Sequence, residues 1–313
     1  MGGGSSDDQA SSECNGGRRF CDRRLVEMVL PATHNSHAAA DEGFLLGSQR
    51  AGIASQLDDG VRALLIDVYF GREVDGSVIT DRAPLSDDER DELVLEVGEA
   101  AVRSAEATAA RSDQEGIERE LFLCHALCEI GASRFDVELG SINRFLDDHP
   151  GEVLVLIIQD EGPRPEDIAA AFEAAGLIDH LHAQALGQPW PTLGELIEAD
   201  TRVVVFAENE AGGGFDWYHD AFTYTQDTPF SFETLDDFSC DLNRGDAGNQ
   251  LFLMNHWLSP ASPTSAESAN DAEVIRERFS ECAELRGRIP NMIAVDFYSV
   301  GDLVDTVAEL NGR

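Results

Sequence analysis

The sequence predicts one α/β domain, a single (β/α)8 TIM-type barrel that allows some irregularity and carries a helical insertion between its second and third strands. Short runs rich in Val, Ile and Leu recur along the 313 residues and alternate with amphipathic stretches. Such alternation is typical of buried parallel strands that are each followed by a helix. Eight runs in a chain of this length favour a closed barrel over an open doubly wound sheet.

The eight predicted strands are short and apolar, and helical patterns separate them. The strands span residues 26–31, 63–68, 121–124, 153–158, 202–206, 221–225, 251–254 and 292–295. Helices are predicted at 142–148, at 165–175, which starts on a proline, and at 301–310, which closes the chain.

Two segments differ in composition from the barrel domain, which is predicted to span residues 14–313. Residues 82–119 are acidic and rich in alanine, and Ser86 and Glu89 have the spacing of a helix capping box, which predicts a helical surface insertion. Residues 1–13 are rich in Gly, Ser and Asp and lack the basic and apolar regions of a signal peptide, which predicts a flexible tether. Such a tether resembles the segment after the lipidated cysteine of a lipoprotein, although an ordinary disordered terminus has the same composition.

The charge of the chain excludes one class of partner. There are 60 acidic residues and 22 basic ones, every basic residue is an arginine, and the net charge is −38. Nucleic acid is excluded, because binding to its phosphates depends on many Lys and Arg contacts. The surface suits a halophilic protein, since concentrated salt screens self-repulsion; a GC-rich genome that favours Arg and Asp is the alternative.

The cysteines predict disulfides and an oxidising compartment. The six residues are Cys14, Cys21, Cys124, Cys128, Cys240 and Cys282, and none of their spacings is the C-x-x-C pair of a common zinc site. We predict nearest-neighbour pairing, 14 with 21, 124 with 128 and 240 with 282. The expected location is extracellular or at the cell surface, with a lipoprotein anchor as one form of attachment. Reduced intracellular cysteines are the alternative.

Polar residues gather at the carboxyl ends of the predicted strands, where barrel enzymes hold their catalytic groups. They are His34 and Asn35 after the first strand, Asp67 and Tyr69 at the second, His125 at the third, Gln159 and Asp160 at the fourth, Asn255 and Trp257 at the seventh, and Asp296 and Tyr298 at the eighth. In a closed barrel the eighth strand neighbours the first. Asp296 is therefore expected to hydrogen-bond the His34 imidazole and fix its tautomer.

Several of these residues lie in motifs that carry a resemblance. The motifs are LPATHNSH at 30–37, QLDDGVR at 56–62, LIDVY at 65–69, LCHALC at 123–128, FLDDHPGEV at 145–153, CDLNRG at 240–245 and PNMIAVDFY at 290–298. In this order and at these strand positions they resemble the catalytic X-domain of phosphatidylinositol-specific phospholipase C, over nearly the whole chain from Cys14 onward.

The resemblance implies a phosphodiesterase with two catalytic histidines. His34 takes the proton from the inositol 2-hydroxyl that attacks the phosphorus, and His125 protonates the departing glycerol oxygen. Asp67 and Asp296 complete the catalytic set, and the expected products are diacylglycerol and a cyclic inositol phosphate. The candidate substrate-binding residues are Tyr69, Arg72, Asn255, Trp257 and Tyr298. A phospholipid or small phosphodiester is the expected partner of a monomer that contacts membranes peripherally.

The chain departs from the family at the positive charge that phosphoryl transfer requires. Leu65 stands where the calcium-dependent relatives have an acidic residue, Gln159 where they have Glu, and Tyr69 where the metal-free bacterial relatives have Arg. Two replacements stay open. Calcium held by Asn35, Asp67 and Asp160 is slightly favoured, and Arg72 is the alternative.

Two other functions remain as alternatives, and several residues have non-catalytic roles as an alternative. A glycerophosphodiester phosphodiesterase shares the barrel but normally has a metal-binding Glu-x-Asp at the second strand, and Leu65 counts against it. A non-catalytic module that binds lipid or sugar headgroups has no need of both histidines. His37 is as compatible with a loop donor as with a catalytic group, and His256 and Trp257 are as compatible with walls of the pocket as with functional residues. Asn243-Arg244-Gly245 is expected to shape a loop beside Cys240.

Overall fold

Eight parallel strands and their surrounding helices form the architecture that the sequence predicts. The computed structural model describes residues 13–82 and 86–312, so that residues 1–12 of the predicted tether lie outside it. The strands are β1 Leu30–Thr33, β2 Ala63–Val74, β3 Ser77–Thr80, β4 Glu120–Cys124, β5 Ala132–Arg134, β6 Leu154–Glu161, β7 Val203–Ala207, β8 Tyr218–Asp220, β9 Thr225–Asp227, β10 Leu251–Asn255 and β11 Met292–Val295.

The helices follow the strands in sequence and cover the outside of the sheet. They are α1 Ile53–Asp58, α2 Asp87–Val97, α3 Glu99–Ala109, α4 Phe135–Asp148, α5 Pro165–Ala174, α6 Leu193–Glu198, α7 Ala221–Tyr224, α8 Pro263–Ala269, α9 Ala272–Arg286 and α10 Leu303–Leu310. Among the described helices, none combines the length and the apolar character needed to cross a bilayer.

The parallel strands form a curled sheet in the order β8-β7-β6-β2-β1-β11-β10-β9. Strand β1 pairs with both β2 and β11, so the first and last strands of the barrel are neighbours, as predicted. In the described residues β8 and β9 do not pair with each other, so the barrel is open at that point. The carboxyl ends of the parallel strands form one edge, here called the rim.

The predicted third barrel strand is wrong in its direction. Strand β4 lies antiparallel to the outer part of β2, with Leu123 opposite Val68 and Glu120 opposite Gly71. This pairing is possible because β2 is 12 residues long, and β1 pairs with it only as far as Leu64. Strand β4 therefore runs toward the rim from outside and delivers His125 there.

The predicted sixth strand is also wrong. Residues 221–224 form α7, because Asp220 caps that helix by accepting a hydrogen bond from the backbone of Thr223. The barrel strand begins at Thr225, and the short strand β8 before the helix was not predicted.

Two helices occupy the segment for which a helical insertion is predicted. Ser86 accepts from the backbone of Glu89, as the capping box predicts, and begins α2. Buried Val102 of α3 shares an apolar cluster with Leu127 and Ile130, which follow His125. The insertion thus supports the segment that carries the second histidine.

The alternation of side chains along β2 explains how the core and the pocket share one strand. Leu64, Ile66 and Val68 belong to the apolar cluster formed with the helices. Ala63 and Leu65 belong to the cluster that fills the barrel interior. Because side chains alternate with a period of two, Asp67 continues the interior face at the rim.

All six cysteines form the disulfides predicted from the sequence. The pairs are Cys14–Cys21, Cys124–Cys128 and Cys240–Cys282. This result confirms the nearest-neighbour pairing, and it fits an oxidising, extracellular environment.

Candidate active site

His34 and Asp296 form a hydrogen-bonded pair at the rim. Thr33 of β1 pairs with Val295 of β11, so the next residue of each strand emerges side by side. His34 Nδ1 lies 2.9 Å from Asp296 Oδ1, and the aspartate is buried while the imidazole side chain remains 26% exposed. With Nδ1–H donating to the carboxylate, Nε2 is left as a proton acceptor.

Trp257 fixes the plane of the same imidazole. The two rings stack with centroids 3.8 Å apart and an interplanar angle of 3°. Trp257 follows β10 and is almost fully buried, so it shields one face of His34 from water. The pair and the stacked ring define both the tautomer and the orientation of His34.

Gln49 holds the chain around this pair in place. Its Nε2 donates to the carbonyls of His34, at 2.8 Å, and Val295, at 3.0 Å, while its Oε1 accepts from the backbone of Tyr298. Tyr298 in turn donates its hydroxyl to Asp59 at 2.7 Å. The structure therefore places Tyr298 in the supporting framework, away from the pocket, and Gln49 is a supporting residue that the sequence analysis missed.

A pocket of about 440 Å³, open to solvent, lies directly beside His34. Its polar and aromatic lining consists of His34, Asp67, Gln159, Glu208, Phe230, Arg244, Asn255 and Trp257. Four of the predicted site residues, His34, Asp67, Asn255 and Trp257, thus meet in one cavity. Glu208 and Arg244 were not predicted, although Glu208 lies two residues after the predicted fifth strand.

Arg244 is held in the pocket wall by two carboxylates. Its Nη2 lies 2.7 Å from Asp227 Oδ2, and its Nη1 lies 2.9 Å from Glu208 Oε2. Asn255 Nδ2 approaches the same Asp227 oxygen at 3.3 Å. Burial is the main cause that raises the pKa of Glu208, although Arg244 acts in the opposite direction.

A third histidine lies close to the two predicted catalytic ones. His37 is completely buried and contacts Phe44 edge-on. Burial, with smaller contributions from His125 and His34, lowers the pKa of His37 to about 3, and the backbone of Cys124 alone acts the other way. His37 therefore interacts with both predicted catalytic histidines and stays a neutral interior side chain.

This buried histidine predicts a pH dependence of stability. In the unfolded chain His37 takes a proton below its ordinary pKa of 6.5, whereas in the fold it remains neutral down to about 3. Stability is therefore lost as the pH falls through that window, by about 1.4 kcal/mol per pH unit for this one group. We expect His37→Phe to remove that share of the acid sensitivity in urea unfolding at fixed ionic strength. An identical pH slope in both proteins would contradict this assignment.

Two of the predicted calcium ligands, Asp160 and Asn35, contact other protein groups. Asp160 accepts from the backbone of Asn209 at 3.0 Å through Oδ1 and of Glu210 at 2.9 Å through Oδ2, so both oxygens bind the loop after β7. Asn35 Nδ2 lies 3.5 Å from Ser48 Oγ. Across residues 13–82 and 86–312, no group of three or more His, Cys, Asp or Glu side chains is arranged to hold a metal. Calcium binding by Asn35, Asp67 and Asp160 stays a prediction, in which the two backbone bonds of Asp160 compete with the ion.

The other predicted binding residues lie away from the pocket lining. Arg72 donates to Asp81 Oδ1 at 2.5 Å and to the carbonyl of Ile117 at 3.0 Å, on the outer part of β2. Tyr69 packs against the small cluster around Phe122 and the Cys124–Cys128 disulfide. Arg72, the arginine predicted to reach the phosphate, is thus paired with a carboxylate and is not among the residues that line the pocket.

His256 is fully buried and is not among the residues that line the pocket. Its Nε2 lies 2.8 Å from the carbonyl of Ala269, and its Nδ1 lies 3.1 Å from Arg278 Nη1. Arg278 also donates to the carbonyls of Asn255 and Ser239. These contacts give His256 a structural role and anchor the strand end that carries Asn255 and Trp257.

Comparison with known proteins identifies the family of the chain. The PI-PLC X family model (PI-PLC X 1) matches residues 90–311. The chain belongs to the PI-PLC X family. The matched segment contains His125, Arg244 and Asp296, and His34 and Asp67 precede it.

Individual relatives support both the family and the fold. The PI-PLC X domain-containing protein 1 of Arthroderma benhamiae is 27% identical over 322 residues, covering 96% of this chain and 89% of the relative. An uncharacterized secreted protein of the same organism is 27% identical over 328 residues, and the match covers 96% of this chain but 63% of that protein. The phosphatidylinositol-specific phospholipase C of Listeria monocytogenes superposes with a TM-score of 0.54 at 14% identity, covering 94% of this chain and 96% of that one. This last likeness shows the barrel fold.

Proposed function

We propose that this PI-PLC X family protein cleaves phosphatidylinositol or a related glycerophosphodiester. The observation that carries the proposal is the His34–Asp296 pair, whose ring is stacked on Trp257 beside a pocket that also contains Asp67. An imidazole with a fixed tautomer and an accepting nitrogen next to a cavity is the arrangement that general base catalysis requires.

The proposed reaction is an internal phosphoryl transfer between two histidines. His34 Nε2 takes the proton of the inositol 2-hydroxyl, whose oxygen forms a new bond to phosphorus while the bond from phosphorus to the glycerol oxygen breaks. His125 gives a proton to that leaving oxygen. The products are a cyclic inositol phosphate and diacylglycerol, and one proton has moved from the attacking to the leaving oxygen. Asp296 stabilises the imidazolium that forms on His34.

Calcium bound by Asn35, Asp67 and Asp160 remains the competing proposal for the missing charge. Because Asp160 is occupied by two backbone amides, we expect turnover to be unchanged by a chelator at fixed ionic strength. The assay compares cleavage of phosphatidylinositol in chelator, without additions and with added calcium. Loss of activity in chelator, with recovery on calcium addition, would establish the metal and contradict the expectation.

We also propose that the substrate is reached at a lipid surface outside the cell. The secreted relative and the three disulfides support an extracellular location. Phe230 lines the pocket and is 42% exposed, and Leu45 on the segment after β1 is 73% exposed, so apolar side chains are available for contact with a lipid surface.

We propose that the protein acts as a monomer. It is either attached to the cell surface by a lipoprotein anchor or secreted in free form. We also propose that it works in an environment of high salt concentration.

Two other functions are less well supported. A glycerophosphodiester phosphodiesterase needs a metal, and the described residues contain no cluster of three acidic, His or Cys side chains that could hold one. A non-catalytic module that binds headgroups gives no reason for the oriented His34 ring. Asn255 and Trp257 suit the pocket wall in either case.

A further inference from the structure

The proposed reaction needs positive charge or strong donors at the nonbridging phosphate oxygens, and the family positions for that charge hold Leu65, Gln159 and Tyr69. We propose that Arg244 supplies it, by donating N–H groups to a nonbridging oxygen of the phosphodiester. This inference rests on the proposed function and names a catalytic residue for it.

Arg244 has the right location for this role. It lines the same pocket as His34 and Asp67, and it is the one Lys or Arg among the residues that line that pocket. Arg72, the cation suggested by the sequence, is bound by Asp81 and the Ile117 carbonyl outside the pocket.

The backbone holds Arg244 in register with the end of β9. Its N–H donates to Asp227 Oδ1 at 2.7 Å, and its carbonyl accepts from the Asp227 N–H at 3.1 Å. The next residue, Gly245, has a φ of +79°, and a Cβ there would lie 2.1 Å from the Thr225 carbonyl oxygen. Only glycine fits this turn, so the sequence Asn243-Arg244-Gly245 fixes the arginine against the strand end.

The guanidinium is oriented but retains donors for a ligand. Nε and Nη2 donate to Asp227 Oδ2 at 2.9 and 2.7 Å, and Nη1 donates to Glu208 Oε2 at 2.9 Å. An arginine has five N–H donors, so these three bonds leave two. The ring centroids of Phe222 and Phe230 lie 4.4 and 5.0 Å from the guanidinium carbon, and these contacts restrain the plane of the group. Such preorganised donors need little rearrangement when charge develops on the phosphate.

The neighbouring carboxylates of Glu208 and Asp227 keep Arg244 ionised. Burial lowers the pKa of Arg244, but Glu208 and Asp227 outweigh that effect and raise it. Asp227 is fully buried, whereas the Glu208 side chain is 12% exposed and has a raised pKa.

The test uses phosphorothioate substrates, in which sulfur replaces one of the two nonbridging oxygens. Wild-type protein is expected to prefer one diastereomer, and Arg244→Lys to lower turnover by at least about a hundredfold and to reduce that preference by at least about tenfold. The matched control is Arg62→Lys, another arginine with a carboxylate partner and an aromatic neighbour, Glu152 and Phe145, placed just before β2. An unchanged diastereomer preference in Arg244→Lys would overturn the inference. This holds even if KM rises, because a raised KM with an unchanged preference indicates that Arg244 contacts the headgroup and not the nonbridging oxygen.

A binding measurement separates this inference from the proposed function. Inorganic phosphate is titrated into each protein at fixed ionic strength, with isothermal titration calorimetry as the readout and thermal unfolding as the check of folding. We expect wild type to bind phosphate and Arg244→Lys to bind it at least about tenfold more weakly. Arg244-dependent phosphate binding without turnover would support the inference while the proposed function fails. Equal phosphate binding by both proteins would overturn it.

A second variant keeps the inference testable if Arg244→Lys does not fold. Glu208→Gln retains Arg244 and its Asp227 contacts but removes one competing negative charge from Nη1. We expect this variant to bind inorganic phosphate several-fold more tightly than wild type. Unchanged or weaker binding would overturn the assignment of Arg244 to the phosphate.

Discussion

Replacing His34 with alanine is expected to lower turnover by at least about a hundredfold, the scale for loss of a general base. The imidazole is the group that Asp296 and Trp257 orient from two sides, and nothing else at the pocket repeats that arrangement among the described residues. His125→Ala is expected to cause a loss of similar size, because protonation of the leaving oxygen depends on it.

A loss of turnover in His34→Ala has to be distinguished from a loss of stability. Asp296 is buried, so removing its partner leaves a buried carboxylate without its His34 contact, which itself destabilises a protein. The double variant His34→Ala/Asp296→Asn removes that charge and serves as the control for stability. Near-normal turnover in a folded His34 or His125 variant would remove that residue from the mechanism.

The largest expected effect on stability is at the Cys240–Cys282 disulfide. It joins residues 42 apart in sequence and ties the loop that carries Arg244 to helix α9. In the chain-entropy model a closed loop of this size corresponds to about 4 kcal/mol of stability. We therefore expect the double variant Cys240→Ala/Cys282→Ala to lower the free energy of unfolding by about that amount.

The chain supplies a matched comparison for this prediction. Cys14–Cys21 has a sequence separation of 7, for which the same model gives about 2 kcal/mol. Denaturant unfolding at fixed salt concentration measures both double variants against wild type. A loss at Cys240–Cys282 that is no larger than the loss at Cys14–Cys21 would contradict the loop-length argument.

The sequence predicts the parallel strands well where burial decides the pattern. Strands β2, β6, β7, β10 and β11 each fall on a predicted apolar run, because both faces of a parallel strand are buried. The direction of β4 could not be predicted, since an apolar run has the same composition in parallel and antiparallel pairing. At Ala221 the helix cap of Asp220 decided the structure, and hydrophobicity alone does not detect a cap.

The site was predictable as far as the strand ends determine it. His34, Asn255, Trp257 and Asp296 follow or end their strands, Asp67 lies within β2 at the level of the rim, and the curled sheet brings them together. Arg244 was missed because it lies in a loop. The position of that loop at the pocket depends on the turn at Gly245 and on the hydrogen bond to Asp227. A signal for Glu208 was present, since it directly follows β7.

The most direct test of the central claim is phosphorus NMR of the wild-type protein with phosphatidylinositol in detergent micelles, at high fixed salt and without added metal. The account predicts that the substrate signal is replaced by that of a cyclic inositol phosphate, with an equal amount of diacylglycerol recovered, and that His34→Ala prevents the conversion. Unchanged phosphatidylinositol in the presence of folded wild-type protein, with no other glycerophosphodiester cleaved, would contradict the claim that this family member is a phosphodiesterase.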